Sequence, residues 1–205
     1  MTLSTTRIGS DYEFESPEED WFQQLELIYS YDFLSNEECD VLIGLTEVID
    51  GTDGKVSHDD FNKEYRNVKE IPLHMMGSKM SWLADRIQTA IVDFNQQFFR
   101  FDLLALDGMT LLSYSAAENS QYRAHSDCLY NEGLMRKLTV IIQLSDPDSY
   151  EGGETLVADG ESWIPIKTTR GSINVFPSFM NHVVKPITKG TRHCVVTWIS
   201  GPPFK

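Results

Sequence analysis

The stretch that decides the fold is SINVFPSFMNHVVKPITKGTRHCVVTWI, residues 172–199. It contains three short apolar and β-branched runs, SINVF, HVVKP and RHCVVTWI, separated by segments with Pro, Asn, Lys and Gly. Runs of this length, bounded by turn-forming residues, are typical of β-strands. The stretch therefore predicts three successive strands.

Five similar runs precede this stretch and begin at residue 102: DLLAL, MTLLSYS, KLTVIIQLS, ETLVA and SWIPIK. Turns are predicted at three dipeptides, namely Asp107-Gly108, Gly152-Gly153 and Asp159-Gly160. About eight short strands favour two packed antiparallel sheets, for which the double-sheet jelly roll is the natural closure.

The first half of the chain predicts a short strand and then two helices. LELIYSY, residues 25–31, reads as the strand, and Ser35-x-x-Glu38 is a capping box that predicts a helix over 36–48. A second helix is predicted over 79–98 from an apolar stripe at helical spacing, formed by Met80, Leu83, Ala84, Ile87, Ile91, Phe94 and Phe98. Helices followed by strands predict an α+β fold, a double-stranded β-helix (jelly roll) with N-terminal helices packed on one sheet.

Length and charge restrict the domain organisation and the partners. A chain of 205 residues with 41% hydrophobic content is expected to form one domain, 21–205, after an acidic and flexible tail, 1–20. The net charge of −14 disfavours a broad nucleic-acid surface and binding to anionic membranes. The oligomeric state is open.

The cysteine content and the absence of targeting signals indicate a cytoplasmic protein. Three cysteines without a C-x-x-C pair predict free thiols in a reducing compartment. The sequence shows no basic-then-apolar leader, and no apolar run approaches the ~20 residues of a membrane span.

The segment QYRAHSDCLY, residues 121–130, contains a His and an Asp two positions apart. On a strand, His125 and Asp127 would point to the same face, where an imidazole and a carboxylate can bind a divalent metal. One such pair is weak support, because His58 and Asp60 form a second one in a charged loop without strand pattern. The second pair is interpreted as a solvated loop.

A third ligand would have to come from another segment, and His182 at the start of HVVKP is the candidate. Two histidines and one carboxylate on one side of a metal form the facial triad of non-haem Fe(II) oxygenases. The same ligands also suit a zinc hydrolase. A non-enzymatic jelly-roll binding module with an incidental H-x-D is a further alternative.

Arg192 begins the strand RHCVVTWI, and strand alternation places it on the same face as Cys194 and Trp198. A guanidinium among apolar side chains is costly without an anionic partner, and a ligand carboxylate would supply one. The alternative is a surface arginine after the turn TKGT.

The order H-x-D, a distant His, and Arg ten residues later resembles the Fe(II)/2-oxoglutarate-dependent dioxygenases of the prolyl 4-hydroxylase type. LLSYSAAENSQYRAHSD looks like their first ligand segment, with Tyr114 and Tyr122 at its two tyrosine positions. Three further segments resemble the same family: YEGGETLV, residues 171–199 and YSYDFLSNEECDVLI. The resemblance therefore covers roughly residues 25–200. A glycine usual after the first tyrosine is missing, which leaves the shape of the loop 115–119 open.

The resemblance implies Fe(II), 2-oxoglutarate as cosubstrate, O2, and ascorbate as a further cofactor, with release of succinate and CO2. It implies metal ligands at His125, Asp127 and His182 and cosubstrate contacts at Arg192, Tyr114 and Tyr122. The expected partner is a peptide or small-molecule substrate: a hydroxylated peptidyl proline is the family default, and a free amino acid or other small molecule is the alternative. Related halogenases carry a small residue at the carboxylate position, so Asp127 argues against halogenation.

One alternative within the superfamily is a nucleic-acid or nucleotide demethylase, which the charge of −14 disfavours. The loop 51–72, with His58, Asp60 and Arg66, occupies the place where a substrate lid is expected, and its role is open.

Overall fold

The structure is a computed structural model that describes residues 29–55 and 62–204. The predicted tail 1–20, the residues His58 and Asp60, and the first part of the predicted strand 25–31 lie outside the described residues. The predicted domain limits therefore stay predictions. In the described part of the chain, no helix is both long enough and apolar enough to cross a bilayer. All three cysteines are free, as predicted.

Helix α1 (Asn36–Val48) has the predicted bounds. Its capping box is formed in both directions: Ser35 N donates to Glu38 Oε2 at 2.9 Å, and Glu38 N donates to Ser35 Oγ at 3.3 Å. These two bonds satisfy backbone donors that would otherwise have no partner at the helix start.

Helix α2 (Ser81–Phe94) is shorter than the predicted 79–98. A 3-10 segment (Leu73–Met80), with Gly77 at φ +59°, precedes it, and a π turn (Asn95–Phe99) follows it. Ile87 and Phe94 are buried as predicted, but Phe98 is 38% exposed. A π turn is wider than an α turn, so the 3- and 4-residue spacing no longer keeps Phe98 on the buried stripe.

The described residues also form fifteen strands: β1 (Tyr29–Asp32), β2 (Thr52–Asp53), β3 (Arg66–Asn67), β4 (Lys69–Pro72), β5 (Ala105–Ser115), β6 (Gln121–His125), β7 (Tyr130–Asn131), β8 (Leu134–Gln143), β9 (Glu151–Gly152), β10 (Thr155–Asp159), β11 (Ser162–Pro165), β12 (Ser172–Pro177), β13 (His182–Val184), β14 (Ile187–Lys189) and β15 (Thr191–Gly201). The major sheet has the order β1-β12-β8-β15-β5-β4-β2, with β7 paired to β8. The minor sheet has the order β11-β10-β13-β6-β3, and β14 pairs with β9.

The major sheet is buried on both faces. Val195 and Leu111 belong to the core cluster that includes residues of α1 and α2, whereas their neighbours Cys194, Val196 and Leu112 belong to a second cluster on the other face. Side chains that alternate between two cores indicate helices on one face and the minor sheet on the other. The predicted α+β jelly roll with N-terminal helices on one sheet is confirmed.

The predicted turn at Asp107-Gly108 is wrong, because both residues lie inside the long strand β5. Thr197 pairs with Met109 and Trp198 pairs with Asp107, so Gly108 is an extra residue with φ +70°. An inserted glycine with positive φ is a β-bulge, which bends a strand without ending it. DLLAL and MTLLSYS therefore contribute to one strand.

Candidate metal centre

The three predicted metal ligands lie together at one end of the minor sheet. His125 is the last residue of β6 and His182 is the first residue of β13, and the two residues face each other in the strand register. Asp127 lies beyond the end of β6, so the expectation that it shares a strand face with His125 is wrong. Its backbone N–H donates to Ser178 O at 2.9 Å, which holds the chain close to the start of β13.

The geometry of these side chains fits a metal ion. Asp127 Oδ1 lies 3.6 Å from His125 Nε2, and Asp127 Oδ2 lies 3.3 Å from His182 Nε2. One ligand atom from each residue falls within 4.8 Å of the other two. The side chains are only 11%, 10% and 5% exposed in the order His125, Asp127, His182. Such a convergent set of two nitrogens and one oxygen can hold one divalent cation.

Backbone carbonyls fix the tautomers of both imidazoles. His125 Nδ1 lies 2.8 Å from Arg123 O, and His182 Nδ1 lies 3.2 Å from Met180 O. A carbonyl oxygen only accepts, so Nδ1 carries the proton in each ring and Nε2 keeps its lone pair in the neutral form. Burial, helped by the nearby His182, lowers the pKa of His125 to about 4, so this ring is neutral at pH 7.

The Asp127 carboxyl is ionised in this setting. Burial alone would raise the pKa of Asp127, but His182 and His125 outweigh that effect and hold the pKa below its usual range. Thr139 Oγ1 also donates to Asp127 Oδ2 at 2.9 Å. The centre therefore combines two imidazole nitrogen donors with one anionic oxygen donor.

Tyr122 packs directly on the metal centre. Its ring stacks on His125, with 3.5 Å between ring centroids, and Arg66 Cζ lies 4.8 Å from the centroid of the Tyr122 ring. Burial raises the pKa of Tyr122 to about 12, so the phenol stays protonated. The structure thus places Tyr122 between the candidate metal ligand His125 and Arg66.

Arg192 is buried deep in the same region, with 1% exposure. Its Nε donates to Gln143 Oε1 at 3.0 Å, and its NH1 donates to Gly153 O at 3.2 Å. Both acceptors are neutral, and no ion pair among the described residues includes Arg192. The surface-arginine alternative is wrong, and the charge of Arg192 is available to an anion.

Tyr114 is opposite Arg192 in the pairing of β5 with β15, and its ring centroid lies 5.7 Å from Arg192 Cζ. Tyr114 is 2% exposed, and burial raises its pKa, so its hydroxyl keeps the proton it can donate. The structure therefore brings Tyr114 and Arg192 together, as the sequence predicts.

Gln143, Tyr150 and Gly153 also shape this region and are not among the predicted site residues. Gln143 Nε2 donates to Tyr150 Oη at 3.0 Å while its Oε1 accepts from Arg192, so Gln143 fixes the guanidinium. Gly153 has φ +69°, and a Cβ there would lie 2.1 Å from Ile187 Cδ1. The Gly152-Gly153 pair in the sequence was the one available signal, and it predicted only a turn.

The three candidate metal ligands line one cavity of about 990 Å³ together with Tyr114, Tyr122 and Arg192. Its walls include the following residues: Lys55, Arg66, Glu70, Tyr114, Tyr122, His125, Asp127, Arg136, Thr139, Thr155, His182, Arg192 and Trp198. Four of these residues are Lys or Arg and two are Asp or Glu, whereas the whole chain has 17 Lys and Arg against 31 Asp and Glu. The cavity is thus locally cationic in an acidic protein, which favours an anionic ligand.

Comparison with known proteins agrees with this site. Residues 109–200 match the 2OG-Fe(II) oxygenase superfamily. A PKHD-type hydroxylase of Shewanella sp. strain ANA-3 is 37% identical over 70 residues, which are 34% of this chain and 31% of that relative. The match therefore spans about a third of the relative's length.

Solved structures of prolyl hydroxylases share the fold. A prolyl hydroxylase from Trichoplax adhaerens, in complex with a hypoxia inducible factor oxygen degradation domain peptide fragment, has a TM-score of 0.72 at 16% identity, covering 88% of this chain and 86% of that chain. A Pseudomonas putida prolyl-4-hydroxylase has a TM-score of 0.64 at 15% identity, covering 90% and 97%. Residues 109–200 thus match the 2OG-Fe(II) oxygenase superfamily, and the whole described chain shares its fold with these two solved structures.

Proposed function

We propose that this protein is an Fe(II)- and 2-oxoglutarate-dependent dioxygenase that hydroxylates a prime substrate and releases succinate and CO2. One observation carries the proposal: a convergent His, Asp, His set and a buried arginine without an acidic partner among the described residues line the same cavity. The first feature suits a metal ion, and the second suits an acidic cosubstrate.

His125, Asp127 and His182 would hold the iron. Two neutral imidazoles and a carboxylate on one side of a metal leave adjacent coordination positions open, which is the arrangement of non-haem Fe(II) oxygenases. Iron bound there would supply O2 activation coupled to oxidative decarboxylation of 2-oxoglutarate. The carbonyls of Arg123 and Met180 accept from Nδ1 of each ring, so each ring turns its Nε2 towards the metal position.

Arg192 would bind the carboxylate of 2-oxoglutarate that lies farther from the metal. Its guanidinium is held by Gln143 and Gly153 and needs little reorganisation to meet an anion. The phenol of Tyr114 would add a neutral hydrogen bond to the same carboxylate. Tyr122 would contribute by packing against the ring of His125, which supports the cofactor site from one side.

The prime substrate is proposed to be a peptide that contains a proline. The Trichoplax neighbour is a prolyl hydroxylase bound to a peptide, and the present chain has the same fold. The net charge of −14 makes the nucleic-acid alternative the weaker one.

A substrate screen tests the proposal. Purified protein with Fe(II), ascorbate and 2-oxoglutarate should release succinate in an O2-dependent manner, and a proline-containing peptide in a panel should gain the mass of one oxygen atom. An Asp127→Ala protein serves as the matched control and should release no succinate above background. Hydrolytic activity that requires Zn(II) and is absent with Fe(II), without succinate release, would overturn the dioxygenase assignment in favour of a hydrolase.

A further inference from the structure

Two buried hydroxyl groups lie behind the Asp127 carboxylate. Thr139 and Ser178 are both 0% exposed. Thr139 Oγ1 donates to Asp127 Oδ2 at 2.9 Å and lies 3.0 Å from Ser178 Oγ. A carboxylate only accepts, so the single Thr139 proton is given to Asp127 and Ser178 must donate to Thr139. The hydrogen bonds therefore run in one direction, from Ser178 through Thr139 to Asp127.

The backbone of Ser178 joins the same set of contacts. Its N–H donates to Lys137 O at 2.9 Å, and its carbonyl accepts the Asp127 N–H at 2.9 Å. Ser178 also lies in the turn between β12 and β13, just before His182. One residue thus links the segment that carries Asp127, the segment that carries His182, and strand β8.

Strand β8 is a rigid support for this arrangement. Thr139 pairs with Phe176 of β12 on one side and with Trp198 of β15 on the other. A side chain on a central strand of a doubly covered sheet has little freedom, and a β-branched threonine has restricted χ1 rotamers. The position of the Thr139 hydroxyl is therefore set by the sheet and not by the loop that holds Asp127.

Asp127 itself needs such a constraint. It lies outside regular structure, beyond the end of β6, and the torsion that rotates a carboxylate is broad and roughly two-fold. A donor fixed at Oδ2 selects one rotation and leaves Oδ1 without a hydroxyl partner.

We propose that Thr139 is a positioning residue for Asp127 and that Ser178 supports it, so that the carboxylate is held in the one rotation that offers an oxygen to iron. This inference rests on the proposed function, because it takes Asp127 as an iron ligand. The chemistry concerned is metal binding: the hydroxyl pair fixes the charged ligand before the cation arrives. A merely structural hydroxyl pair would instead affect the stability of the fold and leave the metal affinity unchanged.

The test compares Fe(II) affinity and fold stability in matched variants. Thr139→Val removes the hydroxyl while keeping the branched shape, Thr139→Ser restores the hydroxyl, and Ser178→Ala removes the supporting donor. Thr197→Val is the control, because Thr197 is also 0% exposed and its hydroxyl donates to Gly108 O away from the cavity. Anaerobic titration with Fe(II) gives the affinity, and thermal melting of the metal-free proteins gives the stability.

Thr139→Val should weaken Fe(II) binding by roughly 10–100-fold, the usual effect of losing a group that orients a metal ligand. Thr139→Ser should bind Fe(II) within a few-fold of wild type. The Fe(II) affinity of Ser178→Ala should fall between those of Thr139→Val and Thr139→Ser. Thr197→Val should melt earlier but bind iron normally.

Equal Fe(II) affinity in wild type and Thr139→Val would overturn the inference. An equal loss of Fe(II) affinity in Thr139→Val and in the control Thr197→Val would overturn it as well. If Thr139→Val does not fold, wild-type Fe(II) affinity in Ser178→Ala would overturn the inference. A wild-type protein that binds no Fe(II) would instead overturn the proposed function, so the two failures are distinguishable.

Discussion

Replacing Arg192 by alanine should weaken 2-oxoglutarate binding without affecting iron binding. Arg192 is 1% exposed and donates to Gln143 and Gly153, so a carboxylate that binds it forms a desolvated, charge-assisted pair. Losing one partner of a buried charged pair costs about 3–5 kcal/mol, whereas an exposed pair is worth about 0–1 kcal/mol. Since about 1.4 kcal/mol is a factor of ten, the dissociation constant should rise by roughly a hundredfold to a few thousandfold.

Anaerobic titration of the Fe(II) protein with 2-oxoglutarate measures this constant through the metal-to-ligand absorption band. Arg192→Lys should recover part of the affinity, because a point charge remains although the bidentate fork is lost. Arg86→Ala is a matched control, since Arg86 pairs with Glu38 at 2.7 Å on the helical side of the molecule. An unshifted binding curve in Arg192→Ala would refute the assignment of Arg192 to the cosubstrate.

Three other perturbations have defined outcomes. Asp127→Ala should abolish measurable Fe(II) binding while circular dichroism shows an unchanged fold. Asp93 is exposed, so Asp93→Ala is the control and should bind iron normally. Retained 2-oxoglutarate turnover in Asp127→Ala would contradict the metal assignment. Phe94→Ala should lower the free energy of unfolding by about 3–5 kcal/mol in urea titrations, because Phe94 packs in the core and is only 9% exposed. Val92→Ala, on the exposed face of the same helix, should change the free energy of unfolding far less. Wild-type unfolding of Phe94→Ala would show that the apolar stripe of this helix is not part of the core. The pKa of His125 in the metal-free fold is about 4 against 6.5 for the free side chain, so the unfolded chain binds this proton more readily. The contribution of His125 to the free energy of unfolding should therefore be fully present above pH 6.5 and should fall by up to about 3 kcal/mol as the pH drops to 4. A loss of the same size in metal-free His125→Gln would assign the pH effect to other groups.

Local sequence signals predicted much of the fold. Ser35 and Glu38 marked the start of α1 because a capping box satisfies backbone donors with side chains close in the sequence. The alternation in β15 placed Arg192 on the cavity face, because successive side chains on a strand point to opposite faces. Neither inference needed knowledge of distant parts of the chain.

The features that were missed depend on contacts between distant segments. Gln143 lies in an apolar run whose residues are buried on both faces of the major sheet, so the pattern gives no sign of which face holds a polar contact. Gly108 has the sequence of a turn, yet the long partner strand β15 continues past it and converts it into a bulge. The π turn after Phe94 leaves no mark in the spacing of apolar residues.

The geometry at Asp127 shows the same limit within the site. Strand alternation placed Asp127 beside His125, and the two are indeed neighbours, but for a different reason. The chain leaves β6 after His125, and the hydrogen bond from Asp127 N–H to Ser178 O returns the carboxylate to the site. The sequence identified the right residues, while the contact that positions one of them comes from a turn about fifty residues later.

The central claim is that one cavity holds both iron and 2-oxoglutarate, and a crystal structure of the anaerobic Fe(II) and 2-oxoglutarate complex tests it most directly. Anomalous scattering at the iron edge should place a single metal within about 2.0–2.2 Å of His125, Asp127 and His182, distances typical of nitrogen and carboxylate ligands in protein metal sites. The distal carboxylate of 2-oxoglutarate should contact Arg192. Iron bound elsewhere, or 2-oxoglutarate bound away from Arg192, would contradict the account.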